Sequence, residues 1–546
     1  MKTRNLVILT FLFTLFLSIP TISAANVTIN PEDSIQDAIN NAASGDTIIL
    51  NTGAYNQSGI KINKELTFKG ATNNPDDVII DAQNNDRVIE VLTGVNNVKL
   101  QGLTITNGYH NGTFNGRGAG LSNRGGTQSQ PTQIINCKFT NNNATGEGGA
   151  IYNYGNLNIT NCIFTNNNAE GNGGAISNRG DLVIRSSTIQ QNTAPSFGGG
   201  IYNLDTMAII DSIIQQNQAA GGGGILNDGE LTITGSTIQQ NQGSNGGGID
   251  NFESLTITDS IIKDNTAPMG GGIANWNNLM VTDCSIQDNT AELSGGGIHN
   301  IMGTTTITGS NIQNNSALKG GAIYNYGNLT ITSSTLQQNT ATQSGAIFND
   351  QLGEVSGTLT ANFNRIFNNT PNAVECSSGS VNAIYNWWGS NNPVFSTLIN
   401  GSVSYDPWLV MRYSANPTII KQGQASNLIA DFRYDSHGVF HNPAAGHLPD
   451  GTMVTFTTTL GNVGSKSVVI ETINGVATAI LRGDDAAGEA WTSATLDSQT
   501  LRTNVTITKA ATTQKTVGMQ TTGIQVQYLV LAILMVIGGL IVPKRK

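Results

Sequence analysis

Charge is what this 546-residue sequence is shortest of: 11% of its residues are Asp, Glu, Lys or Arg, and 6% are aromatic. A globular domain averages about 25% charged residues. The surface must therefore be built largely from Asn, Gln, Ser and Thr. A formal net charge of −10, with no basic patch interleaved with aromatics, excludes a nucleic-acid binder. Extended helix is excluded as well. Apolar residues at three- and four-residue spacing would have to run over ten or more positions, and pairs of glycine interrupt them.

What is present is a repeat. Gly-Gly-Ala/Gly-Ile-x-Asn returns ten times, its first and last copies degraded, with the asparagine at Asn123, Asn153, Asn178, Asn203, Asn227, Asn251, Asn275, Asn300, Asn325 and Asn349. After a first interval of 30, every spacing is 24 or 25. A second half follows, Leu-x-Ile-x-x-Ser/Cys-x-Ile/Phe-x-x-Asn, as in Leu157, Ile159, Cys162, Phe164 and Asn167. Apolar residues two apart, bounded by Gly and Asn, predict short strands with one face buried. Three such strands per period predict an all-β parallel β-helix in which each coil completes the core of its neighbours. The column Phe139, Phe164, Ile189 through Leu336 is expected inside. The column Cys137, Cys162, Ser187 through Ser334 is expected at a tight bend. The column Asn142, Asn167 through Asn339 is expected to form an amide ladder satisfying turn backbone. The glycine pairs are expected where φ is positive or no Cβ fits.

Residues 1–25 carry Lys2 and Arg4, an apolar run from Leu6 and small residues at Ser23–Ala25, the pattern of a secretory signal. Residues 26–410 are assigned to the β-helix, with an N-terminal cap at 26–50, regular repeats over about 115–350 and a closing cap at 351–410. The cap begins with Ser34 and the amphipathic set Ile35, Ala38, Ile39 and Ala42. Residues 415–508 predict a β-sandwich, and 509–523 a stalk rich in Thr, Ala and Gln. The apolar segment 524–543 is close to the ~20 residues a membrane helix needs, and the basic tail 544–546 would stay cytoplasmic. The implied location is the cell surface, anchored in the membrane by this C-terminal helix. Cys137 and Cys162 stand one period apart in one column, within disulfide reach; the alternative is a small apolar residue filling a slot that Ser fills elsewhere. Ten Asn-x-Ser/Thr sequons permit glycosylation.

The opening segment Ser34–Leu50 resembles the start of right-handed parallel β-helix proteins of the pectin-lyase-like superfamily, which implies a right-handed coil here. The regular units, with Gly-Gly-Ala-Ile followed by Phe139–Asn142 or Phe164–Asn167, are similar to the repeats of the polymorphic outer-membrane protein family. Tyr385–Pro393, ending at Pro407-Trp408, is similar to the closing cap of archaeal surface β-helix proteins. Gly446–Phe456, with its Pro-Asp-Gly turn before a strand, resembles bacterial Ig-like domains of the invasin/intimin type. Together these resemblances imply an archaeal adhesin-like surface protein that meets glycans or proteins of another cell surface.

Chemistry is sparse by comparison. Asp259 and Asp283 share one column a coil apart, as do Asp264 and Asp288. Stacked carboxylates about 5 Å apart repel unless solvated or bridged by a cation such as Ca²⁺. Exposed aspartates standing in for Gln, Asn or Gly are the plainer interpretation. No catalytic residue and no cofactor are assigned. The Asp-Asp and Gly-His-Gly signatures of pectin-degrading relatives do not appear in the repeats, and Lys263 is the one basic residue nearby. His437, His441 and His447 lie within eleven residues and are a weak metal candidate. Trp387 and Trp388 could stack on sugars or close the solenoid. The expected function is an adhesive or structural surface rod, not an enzyme; the alternative is a carbohydrate-active enzyme or carbohydrate-binding module on the same fold.

Overall fold

A computed structural model describes residues 24–111 and 116–510. The signal segment up to residue 23, the stalk beyond 510, the membrane anchor and the basic tail lie outside the described residues. Among the described residues no helix is long and apolar enough to cross a membrane.

Three parallel sheets wind through the chain as a β-solenoid. A 15-stranded sheet runs from Asn26–Ile29 to Ser380–Asn382, a 13-stranded sheet from Gly53–Asn56 to Arg365–Phe367, and a 14-stranded sheet from Ile60–Ile62 to Ile399–Gly401. One coil contributes Leu157–Thr160, Ile163–Thr165 and Ile176–Asn178 in that order, each paired in register with the next coil, as in Phe139 to Phe164 to Ile189. The period-2 pattern puts Leu157, Ile159, Phe164 and Ile176 inside, and the Phe139-to-Leu336 column is buried along its whole length. Each fully buried Ile or Leu contributes roughly 1.5–3 kcal/mol. Phe139 and Phe164 stack at 5.0 Å, close to the strand spacing that the ladder imposes.

The corners explain the polar half of the repeat. The residue before each Cys/Ser position is left-handed: Asn136, Asn161, Ser186, Asp211, Gly235, Asp259, Asp283, Gly309 and Ser333 all have positive φ. So does the residue before each laddered asparagine, from Asn141 to Asn368. Asn, Asp and Gly tolerate this region best and fill most of the first column; the second mixes Asn and Asp with four glutamines, Gln191, Gln216, Gln240 and Gln338. In the glycine pair the first residue has positive φ (Gly173, φ 67°). The second has no room, since a Cβ on Gly174 would sit 2.2 Å from Gly199 O.

A fourth short sheet was not legible in the three-strand reading. Thr266–Met269, Thr290–Ser294, Ser316–Lys319 and Thr340–Gln343 pair in parallel just after the asparagine corner. Upstream the same segment forms a three-stranded parallel sheet (Tyr109–His110, Asn143–Ala144, Asn168–Ala169), and between the two sheets it keeps isolated bridges, such as Thr193 with Gln218. The result is a raised wall beside the 14-stranded sheet.

Both ends of the core are covered. Helix Ile35–Asn41 starts at Ser34, whose Oγ accepts from Asp37 N at 3.1 Å, and buries Ile35 and Ile39. At the other end Trp388 packs into the solenoid core, whereas its neighbour Trp387 belongs to a second core. That core lies between a three-stranded sheet (Leu409–Asn416, Ala425–Asp435, Val476–Arg482) and a five-stranded sheet (Ile419–Lys421, Gln499–Thr508, Gly488–Leu496, Met453–Thr458, Ser467–Glu471). The sandwich begins at Leu409, earlier than the expected 415, because Leu409 and Met411 alternate into its core. The two units are joined by Asp497, which accepts from Arg365 Nε at 3.0 Å, pairs with Arg365 Nη2, and accepts from Trp387 Nε1 at 2.7 Å.

Candidate functional site

Most polar residues of the repeat serve the rod itself. Along the Asn123-to-Asn349 column each Nδ2 donates to Oδ1 of the next coil, at 2.8 Å from Asn203 to Asn227 and again from Asn227 to Asn251. The Asn142-to-Asn369 column does the same at 3.0 Å, and its Oδ1 atoms also accept backbone N–H, as Asn192 Oδ1 does from Asn167 N. In the third column Ser212 Oγ accepts from Ser187 N and donates to Ile210 O. Cys137 and Cys162 occupy this same slot as free, buried thiols, with Cys162 Sγ 3.4 Å from Cys137 N. No disulfide joins them; sulfur replaces a serine oxygen.

The four aspartates do not converge. Asp259 and Asp283 stand at one left-handed corner and Asp264 and Asp288 at another, separated by the strand Ile261–Lys263, and all four are exposed. Among the described residues no group of three or more His, Cys, Asp or Glu side chains could hold a metal ion. The three loop histidines each face a different partner: His437 Nε2 is 3.0 Å from Asp406, His441 Nε2 is 2.9 Å from Asp435, and His447 Nδ1 is 2.8 Å from Leu448 O. Burial of Trp387 and Trp388 removes both from any sugar-stacking role.

Two surface features remain. The first is a glutamine row on the 13-stranded sheet. Gln215 Nε2 donates to Gln190 Oε1 at 2.8 Å and Gln239 to Gln215 at 2.6 Å. Lys263 interrupts the row, and Gln287, Gln313 and Gln337 resume it, Gln313 donating to Gln287 and Gln337 to Gln313. Each amide in the row keeps hydrogen-bonding capacity for a ligand.

The second is a groove over the 14-stranded sheet. Its floor is the variable position of Ile-x-Asn, which reads Asp250, Ala274, His299, Tyr324 and Phe348 in successive coils. Met269, Leu293 and Leu318 from the fourth sheet form one wall; Trp276, Ile301 and Tyr326, just after the asparagine, form the other, and Leu352, which follows Asn349, also lines the cavity. The open cavity around His299 measures about 420 Å³. Asp250 accepts from Trp276 Nε1 at 3.0 Å; burial outweighs that bond and pushes its pKa up to about 7. Burial lowers His299 to about 3, so the imidazole is neutral at physiological pH. Its Nδ1 is 3.2 Å from Ser294 Oγ, while its Nε2 has no hydrogen-bond partner. Tyr324 places its hydroxyl 2.7 Å from Asp350 Oδ2 and 3.0 Å from the Tyr326 hydroxyl. None of these floor residues stands out by type alone. The available signal was variation at one position of an otherwise fixed motif.

Residues 136–154, 161–179 and 186–204 each match the Chlamydia polymorphic membrane protein repeat. Among solved structures, the chain is similar to a mannuronic acid specific polysaccharide family 6 lyase from human gut microbiota, at 12% identity and a TM-score of 0.38, covering 69% of this chain and 91% of that one. It is also similar to ORF18 of Geobacillus virus E2, at 12% identity and a TM-score of 0.26, covering 88% of this chain and 76% of that one. No curated protein sequence matches. The likeness is thus to a repeat unit carried in three consecutive coils of a parallel β-solenoid.

Proposed function

We propose that the protein is an adhesin-like component of the cell surface, whose rod makes weak, repeated contacts with glycans or proteins of another surface. In this reading residues 1–25 direct export, 524–543 anchor the chain, and the sandwich that begins at Leu409 is an Ig-like spacer of the bacterial invasin/intimin type. The rod, right-handed and about 65 Å long at one strand spacing per coil, stands off the membrane. The observation that carries the reading is how the polar residues are spent. Both asparagine ladders and the serine column bond to the rod, leaving the glutamine row as a repeating outward amide array. Such amides donate to and accept from sugar hydroxyls, and contacts that are weak singly gain strength by multivalency. The match of three coils to the Chlamydia polymorphic membrane protein repeat supports a surface location.

We read the chain as non-catalytic, because the aspartates best placed for acid–base work are exposed corner residues. The test is a glycan array probed with the full chain, with and without Ca²⁺, beside variants in which Gln215, Gln239 and Gln313 are alanine. Binding that falls in the triple variant supports the proposal. Silence across glycans and cells, or binding indifferent to the glutamines, refutes it. Protease shaving of intact cells tests display separately.

A further inference from the structure

We propose that the groove floored by His299 is a binding site for a phenolic ring. Its volume suits a small aromatic ligand, and its lining has the make-up of such sites: mainly apolar and aromatic, with few polar groups. His299 is 3% exposed and lines the cavity, yet its Nε2 lacks a partner, a costly arrangement for a buried polar atom. The Tyr324 and Tyr326 rings lie 5.1 and 5.6 Å from the imidazole, tilted or edge-on. A further ring fits such a cluster in the same edge-to-face manner. Leu293 and Leu318 leave 51% and 44% of their surface in water on the wall above, so an apolar occupant gains by covering them.

The polar inventory narrows the ligand further. A hexose brings a hydroxyl on nearly every carbon, and this groove would leave most of them unpaired. A pure hydrocarbon would leave Nε2 orphaned. A phenol brings one hydroxyl, which both donates and accepts and so serves either tautomer of His299. Nε2 is shielded from water, so a side chain of the lining must turn aside for the ligand's hydroxyl to reach it. The site is independent of the glutamine row, which lies on a different sheet. The ring could come from a free phenol or from a tyrosine on another protein.

The experiment titrates the full chain with p-cresol, toluene, methyl glucoside and N-acetyl-tyrosine amide, followed by saturation-transfer NMR and Trp276-sensitive fluorescence. The expected result is p-cresol binding about tenfold tighter than toluene, one good hydrogen bond's worth. His299→Phe, which keeps a ring but removes Nε2, should erase that preference and leave toluene unchanged. Leu318→Asp, on an exposed wall and harmless to folding, should weaken both. N-acetyl-tyrosine amide matching p-cresol identifies a protein tyrosine as the source; p-cresol alone identifies a free phenol. No binding of p-cresol at millimolar concentration overturns the proposal. So does equal binding of p-cresol and toluene, affinity untouched by Leu318→Asp, or preference for the glucoside.

Discussion

Replacing Asn227 by alanine removes one member from the middle of a chain of nine side-chain amide bonds that runs from Asn123 to Asn349. Asn227 Nδ2 donates to Asn251 Oδ1 at 2.8 Å, Gly229 O at 2.9 Å and Ser254 O at 3.0 Å, and its own Oδ1 accepts from Asn203 Nδ2 at 2.8 Å. After truncation Asn203 keeps a second acceptor, Asp205 O. The two carbonyls are only partly buried, so water can reach them. Asn251 Oδ1 is fully buried and cannot be rescued. One buried orphan at about 1–3 kcal/mol plus a packing defect gives a local cost of about 2–4 kcal/mol. In a solenoid the loss stays near the altered coil and its neighbours. Amide hydrogen exchange is therefore the assay, with faster opening expected over residues 200–280 and little change near the caps. Asn227→Asp should be worse at pH 7, because a carboxylate oxygen would face three acceptors. Its folded pKa would be raised, so its deficit should shrink as pH falls toward 4. A cost below about 1 kcal/mol for the alanine variant, or an aspartate variant no less stable than alanine at pH 7, would refute the reasoning.

Other sites make separate forecasts. Gly222→Ala combines a left-handed φ of 60° with a Cβ 2.2 Å from Ile225 O, whereas Gly353→Ala shares the φ but meets nothing within 4 Å. Thermal melts should show a loss several times larger for Gly222 than the ~1 kcal/mol expected at Gly353. Asp250, raised to about 7 by burial, holds a proton in the folded state that the unfolded chain releases near 3.9. Its stabilisation is full below the lower value and fades as pH rises to about 7. Asp250→Asn should match the native chain at pH 4 and exceed it at pH 8, and equal Tm differences at both pH values would contradict this. Asp497→Ala strands Arg365 and the Trp387 indole at the junction, so limited proteolysis between the rod and the sandwich should accelerate markedly. Cys162→Ser should change Tm little, and thiol reagents should react slowly with the native chain, because burial pushes the Cys137 thiol well up and hides its neighbour.

The rod was legible because its physics is repetitive. An inward residue at a fixed place in a strand, multiplied by coil stacking, writes the same column nine times, and Phe139 to Leu336 could be placed inside without coordinates. The laddered asparagines were legible for the same reason. The left-handed corners were half legible: Asp259 and Asp283 could be read as exposed stand-ins for Asn or Gly, but their positive φ values supply the reason that those residues recur there. The fourth sheet was not legible, since Thr-Ala steps such as Thr266-Ala267 carry no strong strand pattern and pair only because their neighbours hold them in register. Neither was the groove. His299 and Asp250 gain their character from burial beneath walls that come from other coils, which no local window of sequence contains. Trp387 entered the sandwich core while Trp388 stayed with the rod, a division decided by one residue of alternation.

The strict register of the ladders also makes the rod a ruler. Asn227 bonds to Asn251 as Asn203 bonds to Asn227, so a coil meets the same partners whichever copy lies beyond it. Excising residues 228–251 would rejoin Asn227 to Phe252 and hand its amide to Asn275 with nothing else rearranged. Removing half that length would leave every ladder facing the wrong column. The distance at which this protein holds its far end therefore changes only in whole steps of about 4.8 Å, and its reach is a quantised quantity set by counting repeats.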